Sequence, residues 1–505
     1  MSRPVLFGVV SISGACVLVL EILGTRVLAP FYGVSLFLWS ALIGVTLAAL
    51  AAGYLWGGRW ATRAPSAGRL AALLALAGAW VLLTPWLRGP VVHAAEGLGL
   101  RAAVLVSATQ LFFPPLALLG AVTPYAIRLA TRNVDEVGRV SGDLFAYSTL
   151  ASVLAAVATG FFLIPTLGVN RLLLSVGVSL FVAAALARGM GMRTLAMLAA
   201  GAALAAASGL RAERHAPGVL EVRESPYGEL RVIETGGFRY LLVDGAPHTV
   251  FNAETGVPRQ PYVYAAELAA DLGPRGGRLL LVGLGGGGAA ELFARHGWSV
   301  DAVELDPAMP ALAARYFGLR PFHARVIVGE GRQFLRRSTD RYDAILLDAY
   351  GSSSVPFHLI TREAFAEARA RLEPNGILAL NLETEGWHDP LVSAVTATLL
   401  TEFAHVTALP TGEPPNRVGN VVLMASDRPL ELDEGVLGDP VSTVPDDDEH
   451  FRVLARHHAW ENRFVPRFGR VLTDDWNPSD LRSEEINLAV RKLLRTQIPD
   501  SLMAN

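Results

Sequence analysis

Seven apolar runs fill the first 210 of the chain's 505 residues: 5–23, 36–56, 70–87, 102–127, 144–167, 172–187 and 194–210. A helix that crosses a bilayer needs about 20 mostly apolar residues, because lipid offers its backbone no hydrogen bonds. The runs therefore predict a multi-span α-helical membrane domain over 1–210. The high mean hydropathy of +0.38 reflects this half of the chain. From Arg211 onward charges return at the density of a soluble protein, which places the main boundary there. Pro114 and Pro115 predict a kink in the fourth run. Gly53, Gly57 and Gly58 suit close helix packing, and Trp39 and Trp56 suit an interfacial belt. Glu21 lies inside the first run, where a carboxylate needs a partner, and Arg26 is the nearest cation in sequence.

Short loops rich in arginine set the expected orientation. Arg59, Arg63 and Arg69 follow the second run, Arg128, Arg132 and Arg139 the fourth, and Arg188 and Arg193 the sixth. All three loops, and with them the N-terminus, are expected in the cytoplasm. Seven complete crossings would place the C-terminal half outside, away from a cytosolic cofactor. The reading adopted is a multi-pass protein of the inner cell membrane with a cytoplasmic soluble domain and an interfacial seventh run. The first run is too long for the apolar part of a cleavable signal peptide. A net charge of −3 argues against a nucleic-acid partner. The single cysteine, Cys16, sits in an apolar run, so neither a disulfide framework nor a thiolate metal site is expected. His215, His457 and His458 are read as surface residues, and no metal-ligand spacing involves them.

In the soluble half, residues 219–260 alternate as a small β-rich subdomain, with Gly236-Gly237 as a hairpin turn. Residues 261–430 alternate strand and helix, which predicts a parallel sheet with crossover helices. Residues 431–505 read as an acidic loop over 433–448 and a tail. At the centre stands RLLLVGLGGGGAAELFARHGWSVDAVELDP, residues 278–307. It reads as strand, glycine turn, helix, and a second strand ending in Glu304. Gly283 and Gly285 let the backbone approach a ligand, and an acid about 20 residues after the turn suits a ribose diol. Gly283, Gly285 and Gly288 also match the dinucleotide pattern G-x-G-x-x-G. Glu330-Gly331 and Asp348, at the ends of later strands, converge on the same edge. They favour an α/β Rossmann-like domain of the S-adenosylmethionine methyltransferase type, binding an adenosyl sulfonium.

A more specific resemblance joins these pieces. ESPYGELRV, LLVDGAPHT, YVYAAEL, LLLVGLGGGG, VELDP, VGEGRQFL and YDAILLDAYGSSSVP stand in the order and spacing of spermidine synthases, over roughly 220–426. LEILGTRVLAPFYG, GYLWGGRWATR and LTDDWNPSD resemble a form of that family fused to a multi-span segment. The resemblance implies an aminopropyltransferase that uses decarboxylated S-adenosylmethionine, releases methylthioadenosine, needs no metal, accepts a small amine such as putrescine, and allows a homodimer. It implies Glu304 at the ribose, Glu330-Gly331 at the adenine, and Asp348 and Tyr350 in the catalytic loop. Tyr264, Asp244 and His248 fall on the substrate side.

The departures are specific. Gly351 replaces the second acid of the family's D-x-x-D loop, Gly286 replaces the acid of its glycine loop, and Ala265 stands where bacterial members often carry His. Asp348 is left as the loop acid able to act as base, with His248, Asp474 or Asp475 as candidates to compensate. Two alternatives stay open: an S-adenosylmethionine-type transferase with a non-polyamine acceptor, and a transporter-like protein that senses a nucleoside without turnover.

Overall fold

The computed structural model describes all residues except 64, 132, 213–215, 352–354, 441–446, 467–468, 480–485, 487–488, 492, 495, 500–501 and 503–505. His215 and residues 441–446 of the expected acidic loop thus lie outside the described residues. The chain divides into two compact units. One comprises Met1–Pro217, Arg223–Glu229 and Ser501–Asn505, the other Gly218–Val222 and Leu230–Asp500.

The first unit is helical: α1 (Arg3–Tyr32), α2 (Leu36–Arg63), α3 (Ala67–Ala95), α4 (Leu100–Gly120), α5 (Val122–Ala130), α6 (Val137–Ala158), α7 (Ile164–Arg188) and α8 (Met192–Ala212). Among the described residues, and counted as continuous helices, six are long and apolar enough to cross a membrane, the longest being the 55-residue stretch Val134–Arg188. That stretch would measure about 80 Å if straight, well beyond one bilayer. It is divided by a π-helical turn, Thr159–Leu163, and by Gly168, whose φ of 75° is not helical. Gly168 falls between the fifth and sixth apolar runs, while the π-helical turn lies inside the fifth.

The expected kink at Pro114-Pro115 is displaced: both prolines lie inside α4, and the helix breaks at Ala121. Pro115 has no N–H for the Leu111 carbonyl, four residues back. The Trp80 indole N–H donates to that carbonyl instead, at 3.0 Å. Close packing does rest on Gly53 and Gly57, where a Cβ would come within 2.3 Å of the Ala117 carbonyl and 2.6 Å of the Ala121 Cα. Gly58, by contrast, faces open space. Glu21 is half-buried and forms no ion pair with Arg26 among the described residues. Residues five apart stand about 140° apart around a helix, off the shared face that positions three or four apart enjoy.

The second unit opens with a four-stranded sheet, β1 (Val219–Glu224), β2 (Glu229–Thr235), β3 (Phe238–Val243) and β4 (Ala246–Asn252), in sequential order. Gly236 and Gly237 have φ of 58° and 80° and form the β2–β3 hairpin turn, as the sequence predicts. Then follow α9 (Pro261–Leu272), β5 (Arg278–Val282), α10 (Gly288–Arg295), β6 (Ser299–Glu304), α11 (Met309–Tyr316), β7 (Arg325–Val328), α12 (Gly331–Arg337), β8 (Tyr342–Leu347), α13 (Arg362–Arg369), β9 (Leu372–Thr384), α14 (Pro390–Leu399), β10 (His405–Pro410), β11 (Gly419–Ser426) and α15 (Asp447–Glu461).

The large sheet runs β10-β11-β9-β8-β5-β6-β7. Leu279 and Leu281 bury one face of β5 beneath α9, α10 and α15, and Leu280 and Val282 bury the other against α12, α13 and α14. Burial on both faces explains the unbroken apolar run of this strand. The sequence predicts a parallel sheet, but the sheet is mixed: β11 is antiparallel to both β9 and β10. The order β7-β6-β5-β8-β9 reverses direction between β5 and β8, and ligands of Rossmann-like sheets bind beyond the strand ends at such a switch point.

The tail packs into the core of the second unit. Phe451, Ala455, Ala459 and Trp460 of α15 pack into the core beside α9. Buried Glu267 of α9 holds Arg452 at 3.0 Å and Arg456 at 3.4 Å. Asp448, expected in the loop, is part of α15 and pairs with Arg259 at 2.8 Å.

Candidate active site

The glycine turn leaves β5 at the switch point. Gly283 has φ 94°, and a Cβ there would stand 2.3 Å from the Asp348 carbonyl oxygen. Only a glycine lets these two strand ends approach so closely. Gly285 has φ 52° and faces the Thr249 hydroxyl of β4, which accepts the Gly286 N–H at 2.8 Å.

Glu304, at the end of β6, is buried at 8% exposure. Its carboxylate accepts the Leu284 N–H at 2.9 Å and the Asp306 N–H at 2.8 Å. Burial raises its pKa, and these backbone donors partly offset that. Glu304 therefore ties the second strand to the glycine turn while lying beside it.

Glu330 is the N-cap of α12. It accepts from the Arg332 and Gln333 amides at 2.9 and 2.7 Å and pairs with His358 at 3.1 Å. Burial raises its pKa, but these partners outweigh burial and the net shift is downward. Gly331 is required beside it, because a Cβ would lie 2.3 Å from Val282 Cγ1.

Asp348 follows β8. Its carboxylate accepts the Tyr262 hydroxyl at 3.2 Å and the Asn381 side-chain amide at 2.9 Å. Burial pushes its pKa up to about 7, against the two hydrogen bonds that pull it down. A carboxylate so poised can take up and release a proton near neutral pH. Tyr350 donates to the Asn381 carbonyl at 3.1 Å and accepts the Glu383 N–H at 2.7 Å, so its hydroxyl is engaged by β9.

The substrate-side candidates divide. His248 lies by the Gly351 backbone. Burial drives its pKa down to about 4, Gly351 opposes this and nearby Arg491 adds to it, so the imidazole is neutral at physiological pH. Asp244 occupies the β3–β4 turn with φ 47°, is buried, and its carbonyl accepts from Arg491 at 2.7 Å. Tyr264 is not in the cluster: it is fully buried, donates to the Pro258 carbonyl at 2.6 Å, and stacks edge-on against Phe451. Two residues along a helix turn the side chain about 200°, so Tyr262, not Tyr264, reaches Asp348. Asp474 does not compensate for a missing acid. It grips buried Arg332 with both oxygens at 2.7 Å and accepts the Thr361 hydroxyl at 2.7 Å.

Sequence reasoning passed over Tyr262, Thr249, Asn381, Glu383 and Arg491. The NLE of ILALNLETEG carried a signal: Asn381 and Glu383 are polar at period two at the end of an otherwise apolar strand, on one face. No group of three or more His, Cys, Asp or Glu side chains among the described residues is arranged to hold a metal.

No family model matches the chain. A polyamine aminopropyltransferase of Vibrio vulnificus is 28% identical over 285 residues, covering 52% of this chain and 91% of that protein. A polyamine aminopropyltransferase of Thermococcus onnurineus is 28% identical over 162 residues, covering 30% of this chain and 56% of that protein. The chain thus spans nearly all of the first relative and about half of the second. Among solved structures, a spermidine synthase in complex with the transition state analogue AdoDATO has a TM-score of 0.39 at 15% identity, covering 47% of this chain and 84% of that one.

Proposed function

We propose that the second unit of this chain, a member of the spermidine synthase (polyamine aminopropyltransferase) family, transfers an aminopropyl group from decarboxylated S-adenosylmethionine to a small amine. The observation that carries the reading is Asp348: a half-buried carboxylate whose pKa desolvation pushes up to about 7, held by Tyr262 and Asn381 beside the glycine turn.

The adenosine would lie along the ends of β5, β6 and β7, with Glu304 toward the ribose and the Glu330-Gly331 turn toward the adenine. Asp348 takes a proton from the acceptor's ammonium. The freed nitrogen lone pair attacks the propyl carbon next to the sulfonium sulfur. A carbon–nitrogen bond forms, the carbon–sulfur bond breaks, and its electron pair neutralises the sulfur, leaving methylthioadenosine. Neutral His248 and the protonated Tyr262 and Tyr350, whose pKa values burial and neighbouring carboxylates raise, add no positive charge to oppose a cationic substrate.

We also propose that the first unit anchors the enzyme in the inner membrane, with the second unit on the cytoplasmic side. The six long apolar helices among its described residues and the arginine-rich loops support that reading. Reporter fusions at the C-terminus test the orientation, and reporter activity only on the outer side would refute it. The activity is tested with Asp348→Asn in the purified full chain. Transfer is expected to fall at least a hundredfold with methylthioadenosine binding retained; unchanged transfer would refute the role of Asp348.

A further inference from the structure

We infer that the first unit binds a monovalent alkali cation between α1 and the π-helical turn Thr159–Leu163, with Glu21 as its charged ligand and the Thr159 hydroxyl as a second oxygen donor. The inference is independent of aminopropyl transfer and rests on the reading of α1 and α6 as membrane-spanning helices.

These two helices lie side by side and run in the same direction. Arg3 pairs with Glu136 at 2.6 Å, just before α6 begins. About one turn further along α1, the Phe7 ring meets Tyr147 edge-on, with centroids 5.0 Å apart. A Cβ at Gly14 would meet the Ser148 hydroxyl and stand 2.9 Å from the Ser152 hydroxyl. Seven residues make nearly two helical turns, so Glu21 continues the Gly14 face of α1, and Thr159 continues the Ser152 face of α6. α1 also packs against the π turn that Thr159 opens. The register thus brings Glu21 and Thr159 to the same level of one helix interface.

Both groups are left unsatisfied by the protein. The Glu21 carboxylate is half-buried and has no hydrogen bond or ion pair among the described residues. Thr159 is buried at 0% exposure, and its hydroxyl has no hydrogen-bond partner. Other helical threonines of this unit avoid that state. Thr25, Thr109 and Thr166 each donate to a backbone carbonyl three or four residues back at 2.7 Å. A carboxylate inside an apolar helix and a buried hydroxyl without a partner are both relieved by a cation between them. The π turn adds to the case. Such turns interrupt the regular ladder and occur at functional sites, and irregular backbone within membrane helices offers carbonyl oxygens to alkali ions.

The donor chemistry selects the ligand. Carboxylate, hydroxyl and carbonyl oxygens are hard donors and suit hard cations. One negative charge balances one positive charge, and in an apolar interior that favours a monovalent over a divalent ion. No group of three or more His, Cys, Asp or Glu side chains among the described residues is arranged for a metal, in keeping with a site of one carboxylate. Ser148 and Ser152 extend the line of hydroxyls along the same interface toward the N-terminal end of α1.

The test uses the purified full chain in detergent at fixed pH, with choline replacing sodium at constant ionic strength. Binding of radiolabelled sodium ion is expected to saturate, and to be displaced by unlabelled sodium but not by choline. Glu21→Gln is expected to weaken binding at least about tenfold, the loss of the charged ligand. Thr159→Val, which keeps the side-chain shape, is expected to weaken it about 3- to 10-fold and keeps the test decisive where Glu21→Gln fails to fold. Thr166→Val removes a hydroxyl already given to the Phe162 carbonyl and leaves binding unchanged. Sodium is also expected to raise the melting temperature of the wild type and of Thr166→Val, but not of Glu21→Gln. No saturable binding by the wild type, displacement by choline, or undiminished binding in both Glu21→Gln and Thr159→Val overturns the inference. Release of the full chain from membranes by alkaline carbonate without detergent refutes the membrane-spanning reading, and the inference with it.

Discussion

Replacing Tyr262 by Phe tests the proton-accepting role proposed for Asp348. The Tyr262 hydroxyl donates to Asp348 at 3.2 Å, and this bond lowers a carboxyl pKa that burial holds near 7. A hydrogen bond to a charged group contributes roughly 1.5–3 kcal/mol, and one pKa unit corresponds to about 1.4 kcal/mol. Asn381 keeps its own bond to Asp348, so the smaller end of that range applies, and the pKa rises by about one unit to near 8. The sign follows: the base must be ionised to accept a proton, and a raised pKa leaves less of it ionised at a given pH. At pH 7 the ionised fraction falls from about one half to about one tenth, a roughly fivefold loss in kcat/KM. At pH 9 both forms are almost fully ionised and the loss disappears. The assay is a pH–rate profile of methylthioadenosine release under kcat/KM conditions. Tyr264→Phe is the control: it deprives the Pro258 carbonyl of a buried donor. It should cost about 1–2 kcal/mol of stability with the pH profile unmoved. A loss in Tyr262→Phe that is the same at every pH, or a shifted profile in Tyr264→Phe, would refute the reasoning.

Gly283→Ala forces a side chain onto φ 94° and within 2.3 Å of the Asp348 carbonyl. It should destabilise the second unit by about 2–4 kcal/mol and weaken methylthioadenosine binding, as read by thermal melts with and without the nucleoside. Asp474→Asn leaves buried Arg332 with Glu367 as its one acidic partner among the described residues. It should lower the melting temperature, corresponding to about 1–2 kcal/mol, while the nucleoside affinity stays the same. Trp80→Phe strips the donor from the Leu111 carbonyl that Pro115 leaves free, and should cost about 0.5–1 kcal/mol in detergent unfolding assays.

What the sequence disclosed and what it withheld follow from the range of the interactions. Gly283, Glu304, Glu330 and Gly331 are legible because their constraints are local: a turn, a strand end, a helix cap. Gly236-Gly237 is legible for the same reason. Tyr264 was drawn into the site by its motif, although the helical turn between 262 and 264 decides which ring meets Asp348. Asn381 and Glu383 required knowing that β9 lies beside β8, a pairing between strands joined by a long crossover. The antiparallel β11 sits between β9 and β10, so its place is fixed by the sheet and not by its own residues. Residues 433–448 read as a loop because acids dominate their composition, although Asp448 belongs to α15 and the tail that follows packs into the core. Its burial depends on Glu267 and Arg332, more than a hundred residues away in the chain.

Aminopropyl transfer is proposed at the switch point of the large sheet. It is tested most directly by incubating the purified full-length protein with decarboxylated S-adenosylmethionine and putrescine and following both products by mass spectrometry. Equimolar methylthioadenosine and an acceptor heavier by one aminopropyl group are expected, both formed at least a hundredfold more slowly in Asp348→Asn. An unchanged acceptor in the presence of bound nucleoside, or transfer of a methyl group from intact S-adenosylmethionine alone, would contradict it.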